Sequence, residues 1–175
     1  MTSRPQRLQR WVAAHCEQSR GDSCVPACVA MVRGLVLGLE ADEIPAEETT
    51  CIALWGSDGR GIVLGQVRDL GFGHRWDIDF DAAPDAAVAD LEDRLQDGPL
   101  IVGVWIGPLR HAQGGSGWQP SDRLLHAIVL VGHERRRFVY LDPAHPRSRQ
   151  PFTLTYAQLL DAWTGELAYL PPMAP

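Results

Sequence analysis

His126-Ala-Ile-Val-Leu-Val-Gly-His-Glu-Arg-Arg-Arg-Phe-Val-Tyr-Leu-Asp-Pro143 decides how the second half of the chain folds. Ala127–Val131 and Arg137–Leu141 are short apolar runs rich in β-branched and aromatic residues, the composition of buried strands. Gly132–Arg136 between them is polar and reads as a turn. Pro143 ends the second run, because proline has no N–H to give to a ladder. A hairpin built this way sets the start of one strand beside the end of the other. His126 and Asp142 then become neighbours, close enough for the carboxylate to accept an imidazole hydrogen bond. Asp142 also fits a plainer role, closing a turn before Pro143.

Outward from the hairpin, Leu100–Ile106 reads as a further strand and Glu166–Leu170 as the last one. Gly107–Asp122, rich in glycine and polar residues, reads as a long loop. Leu154–Trp163 reads as a short helix, and His74–Phe80 alternates enough to be a strand. The first half is helical. Arg7–Ala14 carries Leu8, Trp11 and Val12 at helical spacing, and Val25–Leu39 is apolar on nearly every face, as in a buried helix. Acidic Glu40–Glu48, with Pro45, reads as a surface turn or short helix. Ile62, Val63, Val67 and Leu70 keep helical spacing and Gly71 closes that element. Asp85–Gln96 is amphipathic, with Asp97-Gly98-Pro99 as its stop. Helices lead and strands follow, so the fold class is α+β, an N-terminal helical half packed on a C-terminal antiparallel sheet. No repeat or linker divides the 175 residues, so one domain over 1–175, with its core at about 16–170, is expected.

Composition narrows the function. With 45% apolar and 22% charged residues the chain is an ordinary globular protein rather than a disordered one. A net charge of -6, with Arg135–Arg137 as the only basic run, argues against nucleic acid as a partner. The longest apolar stretch, Ala27–Leu39, is broken by Arg33 and too short for a bilayer, and the N-terminus lacks a signal-peptide core. A cytoplasmic location follows as an expectation, with Cys16, Cys24, Cys28 and Cys51 reduced. Cys24-x3-Cys28 has no matching second pair, so no metal or other cofactor is expected.

The chemistry gathers at Gln18-Ser-Arg-Gly-Asp-Ser-Cys24-Val-Pro-Ala-Cys28-Val-Ala-Met31. A polar segment runs into the buried helix, Asp22 or Ser23 can cap it, and Pro26 is tolerated only in its first turn. Cys24 thus sits at a helix N-terminus, where N–H groups and the macrodipole favour negative charge. A nucleophile and a small core residue both fit that position. A nucleophilic cysteine needs a base, an orienter and oxyanion donors. His126, opening a strand after a polar loop, is the best placed of six histidines. His133 and His145 read as solvated, and His111 lies in the glycine-rich loop. Gln18 can donate its amide to an oxyanion, together with the Cys24 N–H.

These residues resemble the bacteriocin-processing, double-glycine-leader peptidases, a branch of the papain-like cysteine peptidases. The resemblance runs from about Gln18 to Leu170. It rests on Gln18, five residues, then Cys24; on Ala27-Cys-Val-Ala-Met31; on Gly61-Ile-Val-Leu64 followed by Val67 and Leu70-Gly-Phe72; and on Pro99-Leu-Ile-Val102. It continues with His126-Ala-Ile-Val-Leu-Val131, Phe138-Val-Tyr-Leu-Asp-Pro-Ala144, and Phe152, Tyr156, Leu160 and Trp163-Thr-Gly165 in that order. The resemblance implies a papain-like peptidase fold with Cys24 as nucleophile, His126 as general base and acid, Asp142 as orienter and Gln18 as oxyanion donor. Where the family usually has glycine after the nucleophile, this chain has Val25 and Pro26, so Val25 is expected to border and reshape the substrate groove. Trp118, in the glycine-rich loop, is expected to border it too. The implied substrate is a peptide or protein, with a separate transporter or precursor peptide as candidate partner, since many relatives are fused to a transporter and this chain reads as free of transmembrane segments. Two rivals remain: another acyl-transfer enzyme (amidase, transamidase or deconjugating peptidase) on the same triad, and a catalytically silent peptide-binding domain.

Overall fold

A computed structural model describes residues 4–56, 61–76, 80–117, 119 and 121–171. The strands are β1 (Gly73–Trp76), β2 (Leu100–Trp105), β3 (Leu125–Glu134), β4 (Arg137–Leu141), β5 (Phe152–Thr155) and β6 (Trp163–Tyr169). They form one sheet in the order β1-β6-β2-β3-β4-β5, and every neighbouring pair is antiparallel. The helices are α1 (Arg4–Ala13), α2 (Cys24–Leu37), α3 (Ile44–Trp55), α4 (Pro84–Asp97), α5 (Ile106–Ala112) and α6 (Tyr156–Ala162). The class is α+β.

The sheet is covered on both faces. Ile101, Ala127, Val129 and Leu141 pack against α2 and α3 in one apolar cluster. Val102, Ile128, Leu130 and Tyr140 pack with Leu91 of α4, Leu109 of α5 and Leu159 of α6 in the other. Strands buried on both sides read as unbroken apolar runs, which is how β2 and β3 look in the sequence. α2 is buried from Val25 to Val32 without interruption. Pro26 sits in its first turn, where its missing N–H costs nothing. Gly38, in the left-handed region at φ 71°, closes the helix by donating to Gly34 O.

The hairpin joins β3 to β4 with Val129 opposite Leu141 and Glu134 opposite Arg137. β3 runs on to Glu134, so the turn shrinks to Arg135-Arg136, both at positive φ (49° and 63°). That backbone matches the twist of the strands but normally selects Asn-Gly.

Several local expectations change. Gly107–Asp122 is not a loop throughout: α5 occupies its start. Pro108 lies in the helix's first turn and Leu109 is fully buried. Ile106 N donates to Leu124 O and Gly107 N to Asp122 O, fixing where the helix begins. A Cβ on Gly107 would stand 2.3 Å from Gln119 O, so the close approach needs glycine. The Leu154–Trp163 helix divides into the end of β5 and α6. Thr155 caps α6 by accepting from Gln158 N (3.2 Å), while Gln158 Oε1 accepts from Thr155 N (2.9 Å). The acidic segment around Pro45 belongs to a longer α3, with Pro45 in its first turn. The element closed by Gly71 is a 3-10 helix, Leu64–Leu70. Of the His74–Phe80 strand, residues 77–79 lie outside the described residues.

Candidate active site

Cys24 is the first residue of α2 and is half-buried. The segment that delivers it, Gln18–Ser23, is held by a buried carboxylate from α3. Glu48 Oε1 accepts from Ser19 N (2.8 Å), Ser19 Oγ (3.1 Å) and Ser23 Oγ (2.7 Å). Ser23 stands at the N-cap position, yet its hydroxyl makes no cap bond. It accepts from Arg20 N (3.1 Å) and donates to Glu48 Oε1 (2.7 Å) instead, so its oxygen serves the turn before the helix rather than the helix's own N–H groups. The same segment is tied to the far end of the hairpin, since Gln18 N donates to Pro143 O at 2.9 Å.

His126 is the second residue of β3, paired with Val104 of β2, and 7% exposed. Asp142 follows the last residue of β4 and is fully buried. His126 Nε2 lies 2.9 Å from Asp142 Oδ1, and the Cys24 side chain is close enough to act on the ring's protonation. With Nε2 committed to the carboxylate, Nδ1 is the nitrogen left for the thiol. Burial lowers the His126 pKa, but the Asp142 hydrogen bond and charge, together with the neighbouring Cys24, outweigh it and push it up to about 9. Burial opposes ionisation of Asp142. The His126 hydrogen bond and charge, the Arg110 charge and the Ala144 N–H prevail, and its carboxyl is held far below the usual range.

Asp142 is saturated. Oδ1 also accepts from Ala144 N (3.0 Å). Oδ2 accepts from Arg110 Nη1 (2.9 Å) and Gln113 Nε2 (3.1 Å), both from the α5 region. Gln113 in turn accepts from Arg110 (2.6 Å) and donates to Tyr140 Oη (2.7 Å). Arg110 Nη1 also donates to His145 Nε2. An acceptor nitrogen requires neutral His145, whose pKa burial lowers, with Arg110 and Arg149 acting in the same direction against Asp142. His145, expected to be solvated, is therefore part of the buried network. The Asp142 backbone is gripped as well. Gln150 Oε1 accepts from Asp142 N (3.1 Å), Gln150 Nε2 donates to Asp142 O (2.9 Å), and His15 Nε2 donates to the same carbonyl (3.1 Å).

Gln18 turns its amide toward Arg20, donating from Nε2 to Arg20 O at 2.7 Å. Its Oε1 is buried without a partner among the described residues. One Nε2 hydrogen remains uncommitted. A depression of about 280 Å³ opens beside it, lined by Gln18, Ser19, Gly21, Pro143 and Ala144. A larger one, about 620 Å³, lies between α1, the end of α4 and the far end of β3, away from Cys24. Val25 is only 4% exposed and packs into the core. At the second helical position its side chain joins the apolar cluster shared with the sheet and offers little surface to a substrate. Trp118 lies outside the described residues. Cys28, one turn beyond Cys24, is wholly buried, and burial keeps its thiol protonated.

Sequence reasoning missed Arg110, Gln113, His145, Gln150, His15 and Glu48. Pro108 three residues into a helix, with Arg110 and Gln113 one turn apart, was a usable signal for α5. Nothing local marks Gln150 or His15, whose partner is reached only through the fold.

No protein-family model matches this chain, and no curated protein matches it. Solved structures do match in shape. The peptidase domain of Streptococcus ComA, described as a bi-functional ABC transporter involved in a quorum-sensing pathway, superposes with a TM-score of 0.58 at 22% identity. The match covers 90% of this chain and 97% of that one. The peptidase domain of Streptococcus mutans ComA gives 0.48 at 23% identity, over 91% and 99% of the two chains. The fold is that of the ComA peptidase domain. Among the described residues no helix is long and apolar enough to cross a membrane.

Proposed function

We propose that this protein is a cysteine peptidase that cleaves a peptide or leader-peptide bond with Cys24, His126, Asp142 and Gln18. The observation that carries the reading is the buried His126–Asp142 pair, 2.9 Å apart, with Cys24 close enough at the start of α2 to act on the ring's protonation. A peptide-binding domain without chemistry has no need to keep an imidazole in that position. The fold shared with the ComA peptidase domain supports the same reading.

In this mechanism His126 takes the Cys24 proton and the sulfur attacks the scissile carbonyl carbon, forming a C–S bond and an oxyanion. The Cys24 N–H, at a helix start with no intrahelical partner, and the uncommitted Gln18 Nε2 hydrogen donate to that oxygen. His126 then protonates the departing amine as the C–N bond breaks. Water, losing its proton to His126, attacks the thioester and releases Cys24. A precursor peptide with a cleavable leader, handed on to a separate transporter, is the substrate class we assign to it.

The test is cleavage of a library of internally quenched peptides, including precursors with Gly-Gly leaders, by the unsubstituted chain and by Cys24→Ala. Turnover confined to the unsubstituted chain, with both forms equally folded by circular dichroism, is expected. Absence of any Cys24-dependent cleavage, with iodoacetamide labelling Cys24 no faster than Cys16, Cys28 or Cys51, would refute the reading.

A further inference from the structure

Asp142 differs from a simple orienting carboxylate in one respect: its second oxygen faces a buried cation. Arg110 is 8% exposed, and one nitrogen, Nη1, meets Asp142 Oδ2, Gln113 Oε1 and His145 Nε2. The anchored start of α5 and the buried Leu109 beside it leave the guanidinium little room to swing away.

We propose that Arg110 is a positioning residue that offsets the charge of Asp142 and so limits how tightly His126 holds its proton. The inference rests on the peptidase reading for its functional meaning. A bare carboxylate in a low-dielectric interior stabilises an adjoining imidazolium strongly, because little solvent screens the pair. Such an imidazolium gives up its proton reluctantly, whereas cleavage requires His126 to donate to the leaving amine and then accept from water. With Arg110 on Oδ2, the imidazole faces an ion pair, closer to a dipole than to a full charge. Geometry is retained, since Oδ1 still accepts from Nε2, while the electrostatic grip is weakened.

Among the described residues, the other ionisable groups near the ring come from several elements. Cys24 comes from α2, Asp142 from the end of β4 and His145 from the following turn. His15 reaches the Asp142 carbonyl from beyond α1, and Arg147 stands behind it, donating to His15 O at 2.9 Å. His15 and His145 both have lowered pKa values, burial being the largest cause. Arg110 is the cation bonded directly to the carboxylate that holds His126.

The experiment is an NMR pH titration of the His126 ring in ¹⁵N-labelled full-length protein, unsubstituted and as Arg110→Gln and Arg110→Lys. Arg110→Gln is expected to move the His126 midpoint up by about one pH unit. Arg110→Lys, which keeps the charge but places it on a compact ammonium rather than a planar guanidinium, is expected to move it up by less. With a cleaved peptide in hand, Arg110→Gln should lower kcat, leave KM unchanged and carry the alkaline limb of the rate profile upward. A merely structural role would loosen Asp142 and leave the midpoint in place or lower it, and either result in a folded variant overturns the proposal. Should Arg110→Gln not fold, Arg110→Lys carries the same test. The titration is read whether or not the chain cleaves anything. An unmoved midpoint therefore sinks only the role of Arg110, while absence of Cys24-dependent cleavage sinks only the peptidase reading.

Discussion

Replacing Asp142 with asparagine perturbs the buried carboxylate on which the candidate site converges. The side chain is fully buried and each of its two oxygens accepts two hydrogen bonds. Asparagine reproduces one oxygen. Its Oδ1 can still accept from His126 and Ala144, but an NH₂ group then faces the Arg110 and Gln113 donors across 2.9 and 3.1 Å. Arg110 is left as a buried cation without its counter-charge, the situation that costs about 3–5 kcal/mol when one partner of a buried ion pair is removed. Domains of this size have only about 5–15 kcal/mol of stability, so the loss is a large share of the whole. Urea unfolding followed by tryptophan fluorescence and circular dichroism measures it directly. The double variant Asp142→Asn/Arg110→Gln removes the stranded charge and is expected to be more stable than Asp142→Asn alone, against the usual order for two substitutions. A single-variant loss below about 1 kcal/mol, or a double-variant loss equal to the sum of the singles, would refute a tightly coupled buried pair.

Three further outcomes follow from other parts of the structure. The raised His126 pKa contributes stability that is fully present below its ordinary value of 6.5 and is lost as pH rises through about 9. About 3 kcal/mol should disappear across that window; His15 and His145, with lowered values, act below it and in the opposite sense. A urea midpoint unchanged between pH 6.5 and 9 would show that Asp142 and Cys24 do not hold the proton. Glu48→Ala strands the Ser19 and Ser23 donors and should cost about 2–4 kcal/mol, with Glu48→Gln costing roughly half as much. Thermal unfolding reads the difference, and equal melting temperatures for the two variants would remove Glu48 as the anchor of the segment before Cys24. In the hairpin, Arg135→Asn with Arg136→Gly relieves two positive-φ side chains and should add about 1–2 kcal/mol. An unchanged or lowered urea midpoint would count against strain at that turn.

Features governed by neighbouring residues were legible without coordinates. Pro26 and the apolar face after it specify where α2 begins, and Gly38 and Gly71 end their helices by adopting a conformation that other residues enter at a cost. The pairing of β3 with β4 follows from two apolar runs around a short turn, so the approach of His126 to Asp142 was accessible to argument, but the register was not: Leu141 pairs with Val129, two residues further along β3 than a Gly132–Arg136 turn would set it. Where the reading went astray, a local signal was ambiguous. Gly114, Gly115 and Gly117 made 107–122 look like a loop, although the glycines lie beyond α5 and Pro108 suits a helix's first turn. Phe152–Thr155 is too short to separate from the helix it precedes until β4 offers it a partner.

By itself, then, the sequence determined the helical and strand halves, the helix start that presents Cys24, and the hairpin that carries His126 and Asp142. These depend on backbone conformations and on contacts the chain makes within a turn or a hairpin. Tertiary structure alone decided which charges surround Asp142, that Val25 faces the core, and that Glu48 braces the segment before the nucleophile. Arg110 lies 32 residues from Asp142 and His15 lies 127 away. In water the Asp142 carboxylate has no need of Arg110, nor its backbone carbonyl of His15. Only when packing removes solvent does Asp142 require four donors and a counter-charge, and that requirement selects residues with no local mark in the sequence.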